Sequence, residues 1–354
     1  MTGDHADVRA LKRLRPPSPA LPAPVFTELD WEETHPALRS WRQNVGNPVL
    51  LDLAPPLGAA PKEVDVLCWN LAIGAARLDE LLKRLRRPEH GGAGTDPKRP
   101  LVILAQEAYR ADKSLPPLPI GRFHGGGVQG GSRTDIVEIA RKYRMSLRYA
   151  PAMRNGIARS DRGNAILATC GFGPTYAFSL PYLRQRRIAI AAELAGLEKL
   201  AFVSAHFENR ARLRLGLRSA IGLGSSRAKQ SEALGRRIIA AEGGDVVLGA
   251  DLNTARGVRD PAFQSLLRAG FVPALQVRRW NYTCRVGPLR LLLDHVLVHS
   301  GHGLIRSAEV ERIDGDPGAR GRRVLGSDHH PLLARVALRS PATSRDPGPS
   351  RAHE

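Results

Sequence analysis

The sequence DVVLGADLN, residues 245–253, joins a short apolar run to two polar side chains, Asp251 and Asn253. The run 245–250 is continuous and rich in Val, which is typical of a strand buried on both faces. A lone Asp after such a run is most often a turn or capping residue. In this chain, however, the same arrangement recurs several times, and the recurrence favours a functional interpretation.

Other apolar runs of the chain also end in residues that can do chemistry. They are Asn70 after VDVLCW, Glu107 after LVILAQ, His206 after LAFVSA, Asp294 after LRLLL, and Asp328 with His329 after RVLGS. Polar side chains at strand ends can project over one edge of a sheet core. We therefore expect these side chains to converge in one cleft.

Strands and helices alternate from residue 63 onward. The apolar runs predict strands at 64–70, 101–106, 164–168, 188–193, 201–206, 245–250, 292–298 and 332–337. Helical periodicity predicts helices at 76–86, 134–143, 226–242 and 261–269, the second of which begins with a Thr/Asp cap. The pattern is typical of one large domain at 63–339.

The two ends of the chain differ from this domain. Residues 1–24 and 340–354 are basic or polar and rich in Pro, a composition that predicts disorder. The extension 25–62, between the N-terminal segment and the domain, carries Trp31 and Trp41. We expect this extension to be helical and to pack on the main domain.

The charge of the chain limits the partners that suit it. Its 354 residues carry a formal net charge of +19, and 42% of them are hydrophobic, which is enough for a sizeable core. Such a charge attracts polyanions, including nucleic acid, an anionic membrane surface and phosphorylated substrates. Because Arg outnumbers Lys and Ala, Gly and Pro are abundant, a compositional origin of the charge is an equal alternative.

Cysteine usage and hydropathy indicate the compartment. The three cysteines are far apart and form no CxxC pair, which supports neither a zinc knuckle nor a disulfide framework. Cys68 and Cys170 lie in apolar runs and are expected to be buried. No window reaches the roughly 18 apolar residues that span a bilayer, and no signal peptide is evident. We expect a cytoplasmic protein and a monomer.

The residue types at the strand ends fit a single chemistry. Mg²⁺ and Mn²⁺ prefer hard oxygen ligands, and Glu107 with Asn70 can supply a partial cage of them. Hydrolysis of a phosphate ester also needs neutralised oxygens, an aligned water and a proton for the leaving alkoxide. Asp, His and Asn in the other positions can supply these. Zinc would favour more His or Cys at close spacing.

Several short motifs occur in the order found in one superfamily. They are CWN at 68–70, LAQE at 104–107, GNAIL at 163–167, SAHFEN at 204–209, LGADLN at 248–253, LLDHVLV at 292–298 and GSDHHPL at 326–332. With these motifs the chain resembles the endonuclease/exonuclease/phosphatase superfamily between residues 64 and 336. The resemblance implies an α+β fold, a four-layer αββα sandwich of two mainly antiparallel sheets flanked by helices. It also implies a hydrolase that cleaves phosphate esters with Mg²⁺ or Mn²⁺.

The same resemblance implies the residues that bind the metal and the phosphate. Glu107 resembles the principal metal ligand, with Asn70 beside it, and Asp328 resembles an additional ligand or a nearby acid. Asn253 is similar to the residue that binds the scissile phosphate. Asn164, in GNAIL, is expected either to contact the phosphate or to cap a strand.

The resemblance also implies the catalytic residues. Asp251 is similar to the residue that orients or deprotonates the attacking water. His329 resembles the histidine at the phosphate, held by Asp294 as its carboxylate partner. His206 matches the histidine that some branches of the superfamily place near the phosphate.

Four other polar residues near these motifs have simpler interpretations. His295 alternates with Asp294 and should face the other side of its strand, and His330 is expected to be structural too. Arg187, in RQRRIAI, could reach a phosphate, but in this Arg-rich chain a solvated surface role is favoured. Ser327 is expected to be a turn residue.

The motifs do not define the substrate, and three possibilities stay open. The first is a nuclease or other phosphodiesterase acting on nucleic acid, favoured by the charge and by the arginine-rich segment 210–218. The second is a lipid or small-molecule phosphoesterase of the sphingomyelinase or inositol-phosphatase kind. The third is a scaffold that binds nucleic acid without cutting it, which the intact set of acids and histidines disfavours.

Overall fold

In the computed structural model of the chain, the described residues are 26–29, 40–86, 94–121, 131–182, 185–209, 225–242, 244–254, 256–314 and 323–339. The segments 1–24 and 340–354, for which the sequence predicts disorder, lie outside these residues. Trp31 and the arginine-rich segment 210–218 lie outside them as well.

The described residues form two main sheets, and the larger of them has eight strands. They are β2 Val49–Leu51, β3 Glu63–Asn70, β4 Leu101–Ala111, β5 Ser146–Arg154, β6 Ser160–Ala168, β12 Leu275–Gln276, β16 Ile305–Arg312 and β17 Leu332–Leu338. Their order is β12-β16-β17-β3-β4-β6-β5-β2. β3 and β4 pair in parallel, as do β12 and β16, and the other neighbours are antiparallel.

The second main sheet has seven strands. They are β1 Phe26–Leu29, β7 Phe172–Ser179, β8 Ile188–Leu194, β9 Leu197–His206, β10 Asp245–Asp251, β11 Val272–Pro273 and β15 Asp294–His299. Their order is β1-β7-β8-β9-β10-β15-β11, with β1/β7 and β9/β10 parallel. A separate hairpin joins β13 Cys284–Val286 to β14 Leu289–Leu291.

Helices cover the outer faces of the two sheets. They are α1 Leu78–Arg86, α2 Ile136–Tyr143, α3 Ser225–Glu242 and α4 Pro261–Arg268. One core, with Leu104 and Phe202, lies between the sheets. A second, with Leu81 of α1, lies under the eight-stranded sheet, and a third, with Leu234 of α3, lies under the seven-stranded sheet. The fold is thus the expected four-layer αββα sandwich.

The predicted strands and helices are confirmed, with end shifts of a few residues. The strand expected at 292–298 begins later, at Asp294. The expected cap of the second helix is also present, since the Asp135 side chain accepts a hydrogen bond from the Val137 backbone N–H at 2.7 Å. None of the helices in the described residues has the length and apolar character needed to cross a membrane.

The extension 25–62 differs from the expectation. Of its described residues only 40–42 are helical, whereas β1 and β2 add strands to the two sheets, pairing with β7 and β5. The helical prediction was therefore wrong for most of this segment. Trp41 still packs on the domain, where its indole N–H donates to the Ala152 carbonyl. The short apolar stretch VLL lies at the sheet edge, where it pairs with β5.

Side-chain alternation places the polar strand ends on the inner faces of the sandwich. In β10, Val247 contacts the core between the sheets, while Val246 and Leu248 contact the helices. Asp251 continues the inward series, since successive side chains of a strand point to opposite faces. In β3, Cys68 points inward, and Asn70 follows it two residues later. The polar ends therefore meet between the two sheets at one end of the sandwich.

Candidate active site

Three neighbouring strands end in a row of chemically capable side chains. Asp251 is paired in register with His206 across the parallel strands β9 and β10. On its other side it is paired with Asp294 across the antiparallel strands β10 and β15. All three are buried, at 1% exposure for Asp251 and Asp294 and 5% for His206. The sequence prediction that these strand ends converge is confirmed by this geometry.

His329 joins the row from the loop that precedes β17. Its Nδ1 lies 2.8 Å and 3.0 Å from the two carboxylate oxygens of Asp294. Burial by itself would lower the pKa of His329, but the Asp294 carboxylate outweighs it and holds that pKa well above the ordinary value. The protonated form of the ring is therefore favoured, and Asp294 fixes its orientation.

Asp251 lies at the centre of the site. One of its oxygens accepts a hydrogen bond from Asn70 Nδ2 at 2.8 Å, and the other accepts one from the Asn253 backbone N–H at 3.0 Å. His206 Nε2 lies 3.4 Å and His329 Nε2 lies 4.0 Å from Asp251 Oδ2. Burial raises the pKa of the Asp251 carboxyl, although the nearby His329 charge opposes the rise. A carboxylate in this setting is a stronger base than an exposed one.

Arg187 is buried against His206, so its expected place on the surface was wrong. It is 4% exposed, and its NH1 lies 2.9 Å from Nδ1 and 3.2 Å from Nε2 of the histidine. Burial lowers the pKa of His206 well below its ordinary value, and the Arg187 charge lowers it further. The ring is therefore neutral, and it accepts a hydrogen bond from Arg187. Local sequence could not reveal this, because the two residues meet only through strand pairing.

Glu107 interrupts the regular pairing of β4 with β6, which resumes at Ala108. Its φ is 49°, and the register between β4 and β6 shifts at this point, which turns its side chain out of the strand. The residue is partly exposed. It lines a cavity together with Arg162, Asn164, Arg187 and His206. Glu107 therefore faces the His206 side of the site.

The two candidate phosphate-binding asparagines both hold backbone groups in this structure. Asn253 has a φ of 50°, and its Nδ2 donates to the Phe207 carbonyl at 2.9 Å. Asn164 Nδ2 donates to the Ile188 carbonyl at 2.8 Å and to the Ser204 carbonyl at 3.3 Å, which connects the two sheets. Both side chains lie at the site, and Asn164 joins strands of the two sheets, which differs from the strand cap that was one of its two expected roles.

Asp328 lies on the outer side of His329. Its carboxylate, Cys284 Sγ and a His329 nitrogen lie within 4.8 Å of one another. Asp251, Asp294 and His329 form a second group of the same kind. In the described part of the chain, Glu107 belongs to neither group. The candidate ligands are thus spread across the cleft. The three cysteines of the chain are buried and carry free thiols.

The residues expected to be structural lie away from the reactive groups. His295 faces α4, where its ring centroid lies 4.7 Å from that of Phe263. Its Nε2 lies 2.9 Å from Thr254 Oγ1. His330 is buried, and its backbone N–H donates to the Thr283 carbonyl. These contacts agree with the structural roles expected for His295 and His330.

Gln106 is a residue for which sequence reasoning assigned no role. Its side chain lies between the sheets, and its Nε2 lies 3.1 Å from the Leu104 carbonyl, 3.1 Å from Ser204 Oγ and 3.2 Å from the Gly249 carbonyl. It therefore links β4 to β9 and β10 directly behind the site. A polar residue between Ala105 and Glu107, in line with inward-facing Leu104, was the signal that could have indicated this.

Comparisons with known proteins agree with this architecture. A family model described as the Endonuclease/Exonuclease/phosphatase family matches residues 67–329. Among solved structures, the chain is similar to the human Nocturnin catalytic domain with bound sulfate anion, at 13% identity and a TM-score of 0.50, over 83% of this chain and 97% of that one. It is also similar to an endonuclease/exonuclease/phosphatase from Bacteroides vulgatus, at 14% identity and a TM-score of 0.51, over 79% of this chain and 100% of that one. These two likenesses show the fold alone. No curated protein matches the sequence.

Proposed function

This chain belongs to the Endonuclease/Exonuclease/phosphatase family and is a hydrolase of phosphoester bonds, and from that premise we propose that it is a divalent-metal-dependent phosphodiesterase acting on nucleic acid. One observation carries the proposal. Asp251 is held between His206 and the His329–Asp294 pair, with nitrogen–oxygen distances of 3.4 Å and 4.0 Å. A buried carboxylate between a neutral and a cationic imidazole suits the activation of a water beside a phosphoryl group.

The side chains present fit a hard divalent cation. The site is rich in carboxylate and amide oxygens, which favours Mg²⁺ or Mn²⁺ over zinc. Glu107 and Asn70 would hold the ion, and Asp328, beside His329, would serve as an additional ligand or a nearby acid. Asn70 Oδ1 accepts a hydrogen bond from the Ala72 backbone N–H and has a second lone pair for a ligand. When bound, the metal neutralises charge that develops on the phosphoryl oxygens.

The attacking water forms the new P–O bond as the bond to the leaving alkoxide breaks, and the alkoxide takes its proton from bulk water, while the protein's own groups act on the attacking water and the phosphoryl oxygens. Asp251 takes a proton from the attacking water, because burial has raised its pKa. His329 donates a hydrogen bond to a phosphoryl oxygen, and Asp294 keeps it charged while it does so. His206, which is neutral, orients the water together with Asp251. Asn253 uses its remaining amide hydrogen on the scissile phosphate.

The net charge of +19 supports a polyanionic substrate. A specific observation also favours the alternative, a phospholipid or another small phosphoester. The β13–β14 hairpin, which bridges to His329 through Cys284, exposes Val286 at 47% and Leu289 at 58%. Apolar side chains exposed beside a phosphoesterase site suit a lipid surface. We place the protein in the cytoplasm and expect a monomer, in keeping with its free thiols.

A substrate panel tests the proposal. Single- and double-stranded DNA, abasic DNA, RNA, sphingomyelin vesicles, inositol phosphates and bis(p-nitrophenyl) phosphate are each incubated with Mg²⁺, Mn²⁺ or EDTA. We expect cleavage of the polymers with metal and none with EDTA. Turnover of sphingomyelin or inositol phosphates alone would favour the alternative, and binding of DNA without cleavage of any substrate would contradict an enzymatic function.

A further inference from the structure

Three arginines surround the side chain of Tyr282 beside the site. Their guanidinium carbons lie 5.3, 5.2 and 4.3 Å from the centroid of the tyrosine ring, in the order Arg285, Arg290 and Arg312. Arg285 also donates a hydrogen bond to the Tyr282 hydroxyl at 2.8 Å, and Arg312 donates one to the Tyr282 carbonyl at 2.9 Å. Arg290 is exposed, and the other two arginines are partly exposed. We call these four residues the arginine surface.

The arginine surface carries an excess of positive charge. Arg285 and Arg290 are paired directly opposite each other in the β13–β14 hairpin, where like charges are unfavourable. Within the described part of the chain, Asp314 forms a salt bridge with Arg312 at 2.8 Å, and neither hairpin arginine forms one. The hydrogen bond from Arg285 lowers the pKa of Tyr282 against the effect of burial, and the charges of Arg312 and Arg285 lower it further. Each cation–π contact is favourable, but three neighbouring cations repel one another, so the surface attracts a polyanion.

The hairpin places this surface beside the reactive groups. Cys284 forms a β-bridge with His329, and the Arg285 backbone N–H donates to the Asp328 carbonyl at 3.0 Å. Paired strands lie about 4.8 Å apart, and the phosphates of one DNA strand follow one another at about 3.4 Å along the axis. A polynucleotide whose scissile phosphate lies at His329 would therefore bring its next phosphates to the arginine surface within a few nucleotides.

The two faces of the hairpin differ in chemistry. Arg285 pairs with Arg290, and Val286 pairs with Leu289. Because successive side chains of a strand point to opposite faces, the arginines lie on the face towards Tyr282 and the exposed apolar side chains lie on the other face. A lipid surface bound through Val286 and Leu289 would lie on the side of the hairpin away from the arginines. The separation favours a polynucleotide as the partner of the arginine surface.

Resting on the proposed function, we propose that Arg285 and Arg290 bind phosphates of a polynucleotide substrate that flank the scissile phosphate. Tyr282 and Arg312 position the two guanidinium groups. A planar guanidinium suits phosphoryl oxygens, which can accept two hydrogen bonds side by side. Contact with the Tyr282 ring already orders the arginine side chains, so that less conformational entropy is lost on binding. The preferred substrate is then a polymer, because a phosphoester with a single phosphate leaves this surface without a ligand.

Binding of single-stranded DNA in EDTA tests the surface without any turnover. Fluorescence anisotropy of a labelled thymidine oligonucleotide is measured at several KCl concentrations with the full chain, Arg285→Gln, Arg290→Gln and the double variant. We expect each single variant to bind about five-fold more weakly and to reduce the slope of log K against log[salt] by about 0.7, because one phosphate contact is lost. Arg268→Gln is the matched control, since Arg268 is exposed in the last turn of α4 and its replacement removes the same charge. Equal affinity and slope in the hairpin variants and in Arg268→Gln would overturn the proposal.

An anionic membrane is the other partner that arginines attract, and vesicles test it. The same variants are sedimented with phosphatidylcholine vesicles that contain phosphatidylserine. We expect the hairpin variants to differ from wild type no more than Arg268→Gln does. If vesicle binding depends on Arg285 and Arg290 while oligonucleotide binding does not, the partner is a membrane and the proposal is wrong. Circular dichroism shows whether each variant is folded, and exposed Arg290 provides the test if Arg285→Gln does not fold.

Turnover with Mn²⁺ separates this proposal from the proposed function. We expect Arg290→Gln to lower kcat/KM for the oligonucleotide about five-fold more than it lowers kcat/KM for bis(p-nitrophenyl) phosphate, which has a single phosphate. Equal effects on the two substrates would show that Arg290 binds no flanking phosphate, and the proposal would be wrong. If wild type cleaves bis(p-nitrophenyl) phosphate but no polynucleotide, the proposed function on nucleic acid fails, while the anisotropy still decides whether the surface binds a polynucleotide.

Discussion

The indole Nε1 of Trp69 donates a hydrogen bond to the backbone oxygen of His329 at 2.9 Å, across 260 positions of sequence. Ser327 completes this attachment, since its hydroxyl donates to the Asn70 carbonyl at 2.7 Å and accepts from the His329 backbone N–H at 3.0 Å. Ser327 is thus more than the turn residue that the sequence suggested. The loop that carries His329 is fastened to β3, the strand that ends at Asn70.

Replacement of Trp69 should therefore disturb the site as well as the core. Trp69→Phe leaves a buried carbonyl without its donor, and we expect the free energy of unfolding to fall by about 1–3 kcal/mol. We also expect kcat to fall, because His329 loses a backbone anchor. Trp280→Phe is the control, since its indole nitrogen is buried and has no hydrogen-bond partner among the described residues. Denaturant unfolding and kinetics check both variants, and equal effects of the two would contradict a role for this hydrogen bond.

Removal of the Glu107 charge should weaken metal binding. We expect Glu107→Gln to lower turnover by about 100-fold or more and to shift the Mg²⁺ titration to higher concentration. Glu138→Gln is a suitable control, because Glu138 is an exposed residue of α2 with 67% side-chain exposure. An unchanged metal titration in Glu107→Gln would remove this residue from the set of ligands.

His329 and Asp294 should behave as a unit. We expect His329→Gln and Asp294→Asn each to lower kcat/KM by about 100-fold or more, and the double variant to lose little beyond either single one. Thermal unfolding should be less affected in the double variant than in His329→Gln, because His329→Gln leaves Asp294 as a buried charge without its partner. Additive losses in kcat/KM would show that the two residues act independently.

Two glycines should be required for the packing of the sandwich. A Cβ at Gly163 would lie 1.9 Å from the Ala150 carbonyl oxygen, and one at Gly249 would lie 2.8 Å from a Leu104 methyl carbon and 3.0 Å from Cys68. We expect Gly249→Ala to cost about 1–3 kcal/mol and Gly163→Ala to cost more, because backbone cannot move aside. Gly58→Ala, which meets nothing within 4 Å, is the control. Urea unfolding gives the order of the free energies of unfolding of the three variants. A Gly163→Ala variant as stable as Gly58→Ala would contradict this reasoning.

Because of Tyr143, the free energy of unfolding should depend on pH in the alkaline range. Its hydroxyl donates to Asp79 Oδ1 at 2.9 Å, connecting α2 to α1. Burial, this hydrogen bond and the Asp79 charge raise the pKa of Tyr143 from 10.0 to about 12. Because the folded state holds the proton more tightly, the contribution is complete below pH 10 and is lost as pH rises to about 12. Tyr143→Phe should show a smaller loss of unfolding free energy across that range, and an identical pH profile would contradict it.

The sequence predicted those site residues that follow from strand periodicity. Asp251 and Asp294 continue an inward series of apolar residues, so the two-residue period alone places each of them between the sheets. Which strands are neighbours, and in what register, depends on pairings between distant segments. The pairing of His329 with Asp294 was predicted from the resemblance to known motifs. The chemistry of the two residues alone does not indicate that they meet.

The buried arginines and several strands could not be predicted in the same way. β5 contains Arg148, Pro151 and Arg154 and yet is buried along its whole length, because loops and neighbouring strands cover it. Arg148 is neutralised by Asp52, nearly a hundred residues earlier. β16 contains four charged residues, so it lacks an apolar run. For Arg148, the partner that makes burial acceptable lies far away in the sequence.

Gln106 links the two sheets directly behind the reactive groups, and this has a consequence for how the activity can change. Glu107 and Asn70 belong to one sheet, whereas His206, Asp251 and Asp294 belong to the other. The width of the cleft is therefore the thickness of the apolar layer between the sheets. Exchanging a Leu for a Met or a Val in that layer would alter the spacing of the reactive groups by fractions of an ångström. Selection can in this way adjust the rate or the accepted substrate through residues that no substrate ever touches.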